Sequence, residues 1–263
     1  MSNVLALAGK TALVVGASSG INLAIARRLG EQGAQLAIVS RTPEKIHAAR
    51  ETLVAEGLSV RAWSGDVRDA GAMSLVATEA AKAYGPLDIV VSGAAGNFFA
   101  TAESMSANAF KTIVDIDLLG TFNVMKAAFP HLRKPGASLI SVTAPQGQRA
   151  MWGQAHVCAA KAGIDMLTKC LALEWGSKGV RVNAVSPGPI ADTEGLSRLA
   201  SNAEALERVR MSLALPRLGQ GRDIGDAVVF LASDAAAYVT GTTLDCDGGM
   251  RLGDLSTLVS DQS

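Results

Sequence analysis

Tyrosine is nearly absent from this chain. The 263 residues hold two, Tyr84 and Tyr238, and aromatic side chains make up only 4% of the total. Neither tyrosine belongs to a recognisable catalytic motif, so both are read as structural. Net charge is missing as well: 24 basic residues cancel 24 acidic ones. No overall field is left to recruit nucleic acid or an anionic membrane. No apolar run reaches the roughly 20 residues that cross a bilayer. The stretch from Met1 to Gly9 lacks the basic start and long apolar core of a secretory signal, and Ser260-Asp261-Gln262-Ser263 is not a peroxisomal address. Cysteine is limited to Cys158, Cys170 and Cys246, an odd number without metal-ligand spacing. Reduced core thiols are the expectation. Together these absences predict a cytoplasmic protein with no metal and no membrane or nucleic-acid partner.

Hydrophobic residues, by contrast, make up 49% of the chain and charged ones only 18%, enough to bury a sizeable core and to exclude disorder. Short β-branched runs alternate with longer helical patterns. Strands are predicted at Thr11–Val15, Gln35–Ser40, Val60–Trp63, Asp88–Ser92, Ser138–Thr143, Arg181–Ser186 and Thr243–Cys246. Helices are predicted near Ile21–Gln32, Glu44–Glu56, Ala70–Tyr84, Ala107–Leu132, Gly153–Lys178 and Asp223–Ser233. Strands such as Ala12-Leu13-Val14-Val15 are apolar on both faces, as buried parallel strands are. Repeated βα units of this length imply an α/β protein with a doubly wound parallel sheet. No linker or internal repeat divides it, so a single domain is predicted. Ser201–Leu215 is a helical excursion that breaks the alternation. Sites in such sheets lie at the carboxyl ends of the strands, which makes residues 190–217 a candidate substrate lid.

The first strand runs into Gly16-Ala17-Ser18-Ser19-Gly20-Ile21-Asn22 and then a helix. Glycines at such a turn let backbone approach a pyrophosphate, whose charge sits at the helix N-terminus. After the second strand, Ser40-Arg41-Thr42 stands where an acidic residue would meet the ribose hydroxyls of NAD. Arg41 offers instead a planar cation for a 2′-phosphate, with hydroxyl donors beside it. NADPH is the expected cofactor.

These pieces resemble the short-chain dehydrogenase/reductase family along nearly the whole chain. The resemblance rests on the glycine loop, Asp66-Val67, Ala94-Ala95-Gly96, Arg181-Val182-Asn183-Ala184-Val185-Ser186-Pro187-Gly188, Val239-Thr240-Gly241 and Asp245-Cys246-Asp247-Gly248-Gly249. It implies a Rossmann fold, with Gly16, Ser18, Ser19, Gly20, Ile21, Arg41, Asp66, Val67, Ala94, Gly96, Lys161, Pro187, Gly188 and Ile190 around the cofactor. It also implies a homotetramer, with the helices near 107–132 and 153–178 packed against a partner. One departure is Asn22, at the family's third glycine. It either crowds the pyrophosphate or offers it an amide donor.

Finer features resemble the peroxisomal type of 2,4-dienoyl-CoA reductase. They are Ala94-Ala95-Gly96-Asn97-Phe98, Asp115-Ile116-Asp117, Gly120-Thr121-Phe122-Asn123, Pro187-Gly188-Pro189-Ile190 and Thr193-Glu194-Gly195. The family carries Tyr-x-x-x-Lys around position 161, but here the tyrosine position is Val157. The peroxisomal enzymes also lack that tyrosine, and they keep a lysine matching Lys161 and an aspartate matching Asp165. The tyrosine of the mitochondrial relatives aligns with Gln146, so that version does not carry over.

Valine donates no proton, which disfavours alcohol–ketone interconversion. Conjugate reduction of an unsaturated thioester differs. Its charge gathers on the thioester oxygen, which needs donors or a nearby cation, and carbon is protonated afterwards through a water. Lys161 is expected to hold the nicotinamide ribose and add positive potential. Asp165, one helical turn on along the same face, is expected to position a proton-relay water or to donate with a raised pKa. Asp117 is expected to form a buried pair with Lys161, catalytic or structural. The resemblance puts Asn97 and Phe98 on the acyl thioester, though core packing also explains Phe98. Thr143 is a candidate oxyanion donor, and His156 either a substitute acid or a structural histidine. The expected activity is NADPH-dependent reduction of a conjugated acyl thioester, 2,4-dienoyl-CoA foremost. Two alternatives stay open. One is reduction of another activated alkene or carbonyl; the other is a catalytically silent NADP(H)-binding protein.

Overall fold

The computed structural model describes residues 5–200 and 202–253. The expectations about the first residues, about Ser201 and about Ser260–Ser263 fall outside that range.

Seven strands form one parallel sheet in the order β3-β2-β1-β4-β5-β6-β7. They are β1 (Thr11–Val15), β2 (Gln35–Ser40), β3 (Val60–Ser64), β4 (Ile89–Ser92), β5 (Ser138–Val142), β6 (Arg181–Pro187) and β7 (Thr243–Cys246). Each boundary lies within one residue of the sequence expectation, the ordinary uncertainty of strand ends. Side-chain alternation divides the core between the two faces of the sheet. Ala12, Val14, Leu36 and Ile38 point to one face, with α1 (Gly20–Glu31), α2 (Pro43–Ala55) and the C-terminal α9 (Gly221–Ala232) packed over them. Leu13, Val15, Ala37 and Val39 point to the other, under α3 (Ala70–Tyr84), α5 (Gly120–Ala128) and α6 (Ala155–Trp175). Burial on both faces is why these strands read as unbroken apolar runs.

Two helical expectations need correction. The predicted helix 107–132 is interrupted: α4 (Ala107–Val114) passes through a π-helical turn, Asp115–Leu119, into α5, and a 3-10 turn, Phe129–His131, ends the run. On either side of the wider turn apolar residues recur at ordinary helical spacing, so the pattern reads as one helix. The excursion before α9 is two short helices, α7 (Glu194–Leu199) and α8 (Ala203–Met211), capped by Thr193 and Asn202.

The strand order reverses between β1 and β4, from which successive parallel strands are added toward opposite edges of the sheet. A crevice opens at such a switch point, outside the carboxyl ends of the strands.

Candidate active site

The predicted dinucleotide-binding residues sit at that edge. Gly16 follows β1, Arg41 β2, Asp66 β3, and Ala94 and Gly96 β4, while Pro187 ends β6. Gly16 takes φ +89 and lies so close to the β4 exit that a Cβ would come 2.8 Å from the Ala94 nitrogen. Gly20, at φ +57, has nothing within 4 Å of a Cβ position, so this side of the loop is open. Ser19 precedes α1 without capping it by its side chain, and the first turn holds no acidic residue. The helix start therefore keeps its amide donors for an anion. Ser18 and Ile21 line the same loop, half-buried. Val67 is fixed by a 2.9 Å bond from Asn123 Nδ2 to its carbonyl. Ile190 is buried and bridges to Gly219, and Gly188 packs against Asp247 so tightly that a Cβ would lie 2.6 Å from its Cα. These residues fit a nicotinamide dinucleotide.

At the adenosine end Arg41 is exposed. Arg68, which no sequence motif singles out, bonds Asp66 at 2.6 Å. That bond, helped by Arg41, holds the Asp66 carboxyl below its usual range. Ser40 is buried, its hydroxyl unpartnered among the described residues. It lies under the surface rather than beside Arg41 as an exposed donor.

Asn22 has a partner inside the protein. Its Nδ2 donates one hydrogen to the Gly93 carbonyl at 2.7 Å, so the amide ties the loop to β4.

Lys161 lies inside the protein, on α6. Its ammonium is 3.1 Å from Asp117 Oδ2 and donates to the Val142 carbonyl at the end of β5, 3.3 Å away. Asp117 is fully buried in the π-helical turn. Its other oxygen accepts the Gly96 N–H at 2.8 Å. One carboxylate thus joins the β4 loop to the lysine. The Oδ2 contact is an ion pair without aligned hydrogen-bond geometry.

Asp165 is buried and makes no ion pair with Lys161 among the described residues. Helical side chains lean toward the N-terminus, which carries the Lys161 ammonium away from it. The Asp165 Oδ1 accepts from the Thr243 hydroxyl at 3.2 Å, and Oδ2 lies against Gly147, where a Cβ would come within 2.5 Å. Burial pushes its carboxyl up, partly offset by the Thr143 and Thr243 hydroxyls and by Lys169. Thr143 is buried too, and its hydroxyl faces the Lys161 carbonyl at 3.4 Å. The Thr143 hydroxyl thus sits between that carbonyl and the Asp165 carboxyl.

A chain of amides closes the rim. Gln146 Nε2 donates to Gln154 Oε1, and Gln154 Nε2 to Asn97 Oδ1, both at 2.9 Å. Gln154 is almost fully buried. It is absent from the sequence-based candidates, because a glutamine before a helix reads as an ordinary N-terminal flank. Arg198 of α7 donates to the Asn97 main-chain carbonyl and pairs with Glu194, which joins α7 to the rim. Phe98 packs on His156, ring centroids 4.2 Å apart, and on the apolar cluster of Ile113, Val157 and Ala160. The tyrosine position is thus part of an apolar wall. His156 is fully buried and its nitrogens find no hydrogen-bond partner among the described residues; burial pushes its imidazole down, away from service as an acid. Tyr84 stacks under Arg61, and its carbonyl accepts from Thr11 at the amino end of β1. Tyr238 is fully exposed after α9.

A parallel sheet with a glycine-rich turn at its switch point and a buried lysine beside it defines an oxidoreductase of the nicotinamide-dependent kind. A family model described as "Enoyl-(Acyl carrier protein) reductase" matches residues 16–251, and the chain belongs to the short-chain dehydrogenase/reductase family. A peroxisomal 2,4-dienoyl-CoA reductase of Arabidopsis thaliana is 39% identical over 254 residues, 93% of this chain and 85% of the relative. One of Rattus norvegicus is 40% identical, over 92% of this chain and 84% of its own. Both names specify a (3E)-enoyl-CoA product. Among solved structures, a short-chain dehydrogenase/reductase of Serratia marcescens superposes with a TM-score of 0.86 at 29% identity, covering 94% of this chain and 99% of that one.

Proposed function

We propose that the protein reduces conjugated acyl thioesters, 2,4-dienoyl-CoA foremost, with NADPH and without a catalytic tyrosine. The observation that carries this reading is the buried Lys161–Asp117 pair in a chain whose two tyrosines both lie elsewhere. The names of the relatives support the substrate class, and exposed Arg41 supports the phosphorylated cofactor.

NADPH, when bound, supplies the hydride to the far end of the conjugated system. The chain's own groups meet the charge that then develops on the thioester oxygen. With its Oδ1 occupied by Gln154, Asn97 has its Nδ2 hydrogens to offer that oxygen. Lys161 holds the nicotinamide ribose and adds positive potential, kept in place by Asp117 and the Val142 carbonyl. Val157 and Phe98 contribute apolar surface for the acyl chain. Asp165, whose burial favours the protonated form, is the reservoir from which a relayed water protonates carbon. The lid formed by α7 and α8 covers the thioester, latched through Arg198. Three unpaired thiols suit a reducing compartment, and we place the protein in the cytoplasm.

Purified protein given NADPH and a panel of 2,4-dienoyl-CoAs is expected to oxidise the cofactor. Tight NADPH binding without oxidation on any thioester would establish the silent alternative.

A further inference from the structure

Asn22 and Gly93 fit each other as two halves of one contact. Gly93 is buried directly after β4, and it is not among the glycines with positive φ. Its backbone would accept any residue, so the demand for glycine comes from packing. A Cβ there would lie 2.0 Å from Asn22 Oδ1, 2.5 Å from Cγ and 2.7 Å from Nδ2. All three nearest neighbours belong to one side-chain amide. That amide occupies the space a side chain at 93 would need, and donates to the carbonyl of the same residue at 2.7 Å. Its orientation follows from the contact, because the opposite flip would set two oxygens face to face. Across the joint, a Cβ on Gly16 would come 3.0 Å from Asn22 Nδ2 and 3.0 Å from the Gly93 carbonyl carbon.

We infer that Asn22 is a positioning residue for the dinucleotide. It sets the spacing between the pyrophosphate loop, Gly16 to Ile21, and the β4 exit, Gly93 to Gly96. The exit passes the constraint on, since the Gly96 N–H bonds Asp117, the partner of Lys161. Asn22 Oδ1 is buried without a partner among the described residues. An unpaired buried acceptor opposes folding, so stability alone does not account for an asparagine here. Gly93 is glycine because Asn22 is asparagine. The inference rests on the dinucleotide-binding class of the protein and not on its thioester substrate.

The test is a double-mutant cycle on full-length protein: wild type, Asn22→Gly, Gly93→Ala and Asn22→Gly/Gly93→Ala, with Asn22→Asp as the isosteric control. Two quantities are read for each protein, the NADPH dissociation constant by fluorescence titration and the thermal midpoint without cofactor. Asn22→Gly is expected to weaken NADPH binding about tenfold, the equivalent of one hydrogen bond. Asn22→Asp, which has no donor for the Gly93 carbonyl, is expected to weaken it at least as much. Gly93→Ala should be damaging in the wild-type background and nearly silent once Asn22 is gone. If Gly93→Ala alone does not fold, folding of the double variant carries the same support. Equal damage from Gly93→Ala in both backgrounds would overturn the pairing. An Asn22→Gly protein that binds NADPH as tightly as wild type, whatever its thermal midpoint, would overturn the positioning role. Wild-type protein that does not bind NADPH at all would refute the cofactor reading itself, a separate failure.

Discussion

Lys161 gains its meaning from the residues that hold it. A lysine ammonium is seldom buried without a partner, and here a carboxylate and a carbonyl fix it below the β4 loop. Its motif was legible in the sequence because the spacing on α6 survives the loss of the tyrosine. Its neighbours were legible only in part. Asp117 follows from the family resemblance, and Asp165 lies on the same face of α6 as Lys161, its Oδ2 and the Lys161 carbonyl both against Gly147, while the lysine ammonium reaches Asp117. Gln154 had no signal at all. In the folded chain its Nε2 occupies Asn97 Oδ1, which leaves the Asn97 hydrogens for the ligand. Gln154→Glu tests this at constant size. A carboxylate can only accept, so Asn97 would turn its hydrogens to the substituted side chain and its oxygen to the thioester. We expect kcat/KM for the thioester to fall about a hundredfold, the scale of a lost oxyanion donor, with NADPH affinity unchanged. An unchanged kcat/KM would remove Asn97 from the oxyanion site.

Among the elements, the π-helical turn Asp115–Leu119 does most to set the site apart. One extra residue per turn changes the facing of everything after it, and here it puts Asp117 fully inside. Hydrophobic periodicity cannot show this, because the apolar residues on either side still recur at helical spacing. The βα alternation was readable for the opposite reason, since strands buried on both faces leave short, unmistakable apolar runs. The junction of α6 with β7 yields a pH prediction. The Asp165 carboxyl is raised by burial, so the folded state holds its proton more firmly than the unfolded chain does. The stability associated with that proton is fully present below the ordinary aspartate range near pH 4. It is lost as pH rises through the raised value. Asp165→Asn does not titrate. Its thermal midpoint relative to wild type is therefore expected to climb from pH 3 toward neutrality and then level off. A difference independent of pH would show that Asp165 is not held toward its protonated form.

Across the whole molecule, several of the apolar residues left on the surface fall on the π-turn, α5 and α6. Leu119 and Phe122 lie at the π-turn and α5, and Met166 and Leu173 on α6, with Leu173 86% exposed. Isolated apolar residues on a surface are ordinary; several on these elements are a candidate association face. We propose the homotetramer that the family resemblance implies, formed through these helices. Sedimentation velocity should give about four times the mass of the 27.0 kDa chain, and a single monomeric species at micromolar concentration would exclude it. The proposed reaction belongs to this scale too, because it needs the cofactor edge, the lysine pair, the apolar wall and the α7–α8 segment together. It is tested most directly by following NADPH consumption with a 2,4-dienoyl-CoA and, in parallel, with a 3-ketoacyl-CoA of the same chain length. The account predicts rapid oxidation with the dienoyl thioester and negligible oxidation with the ketone, since no tyrosine stands ready to protonate an alkoxide. Turnover of the ketone, or none of the dienoyl-CoA, would contradict it.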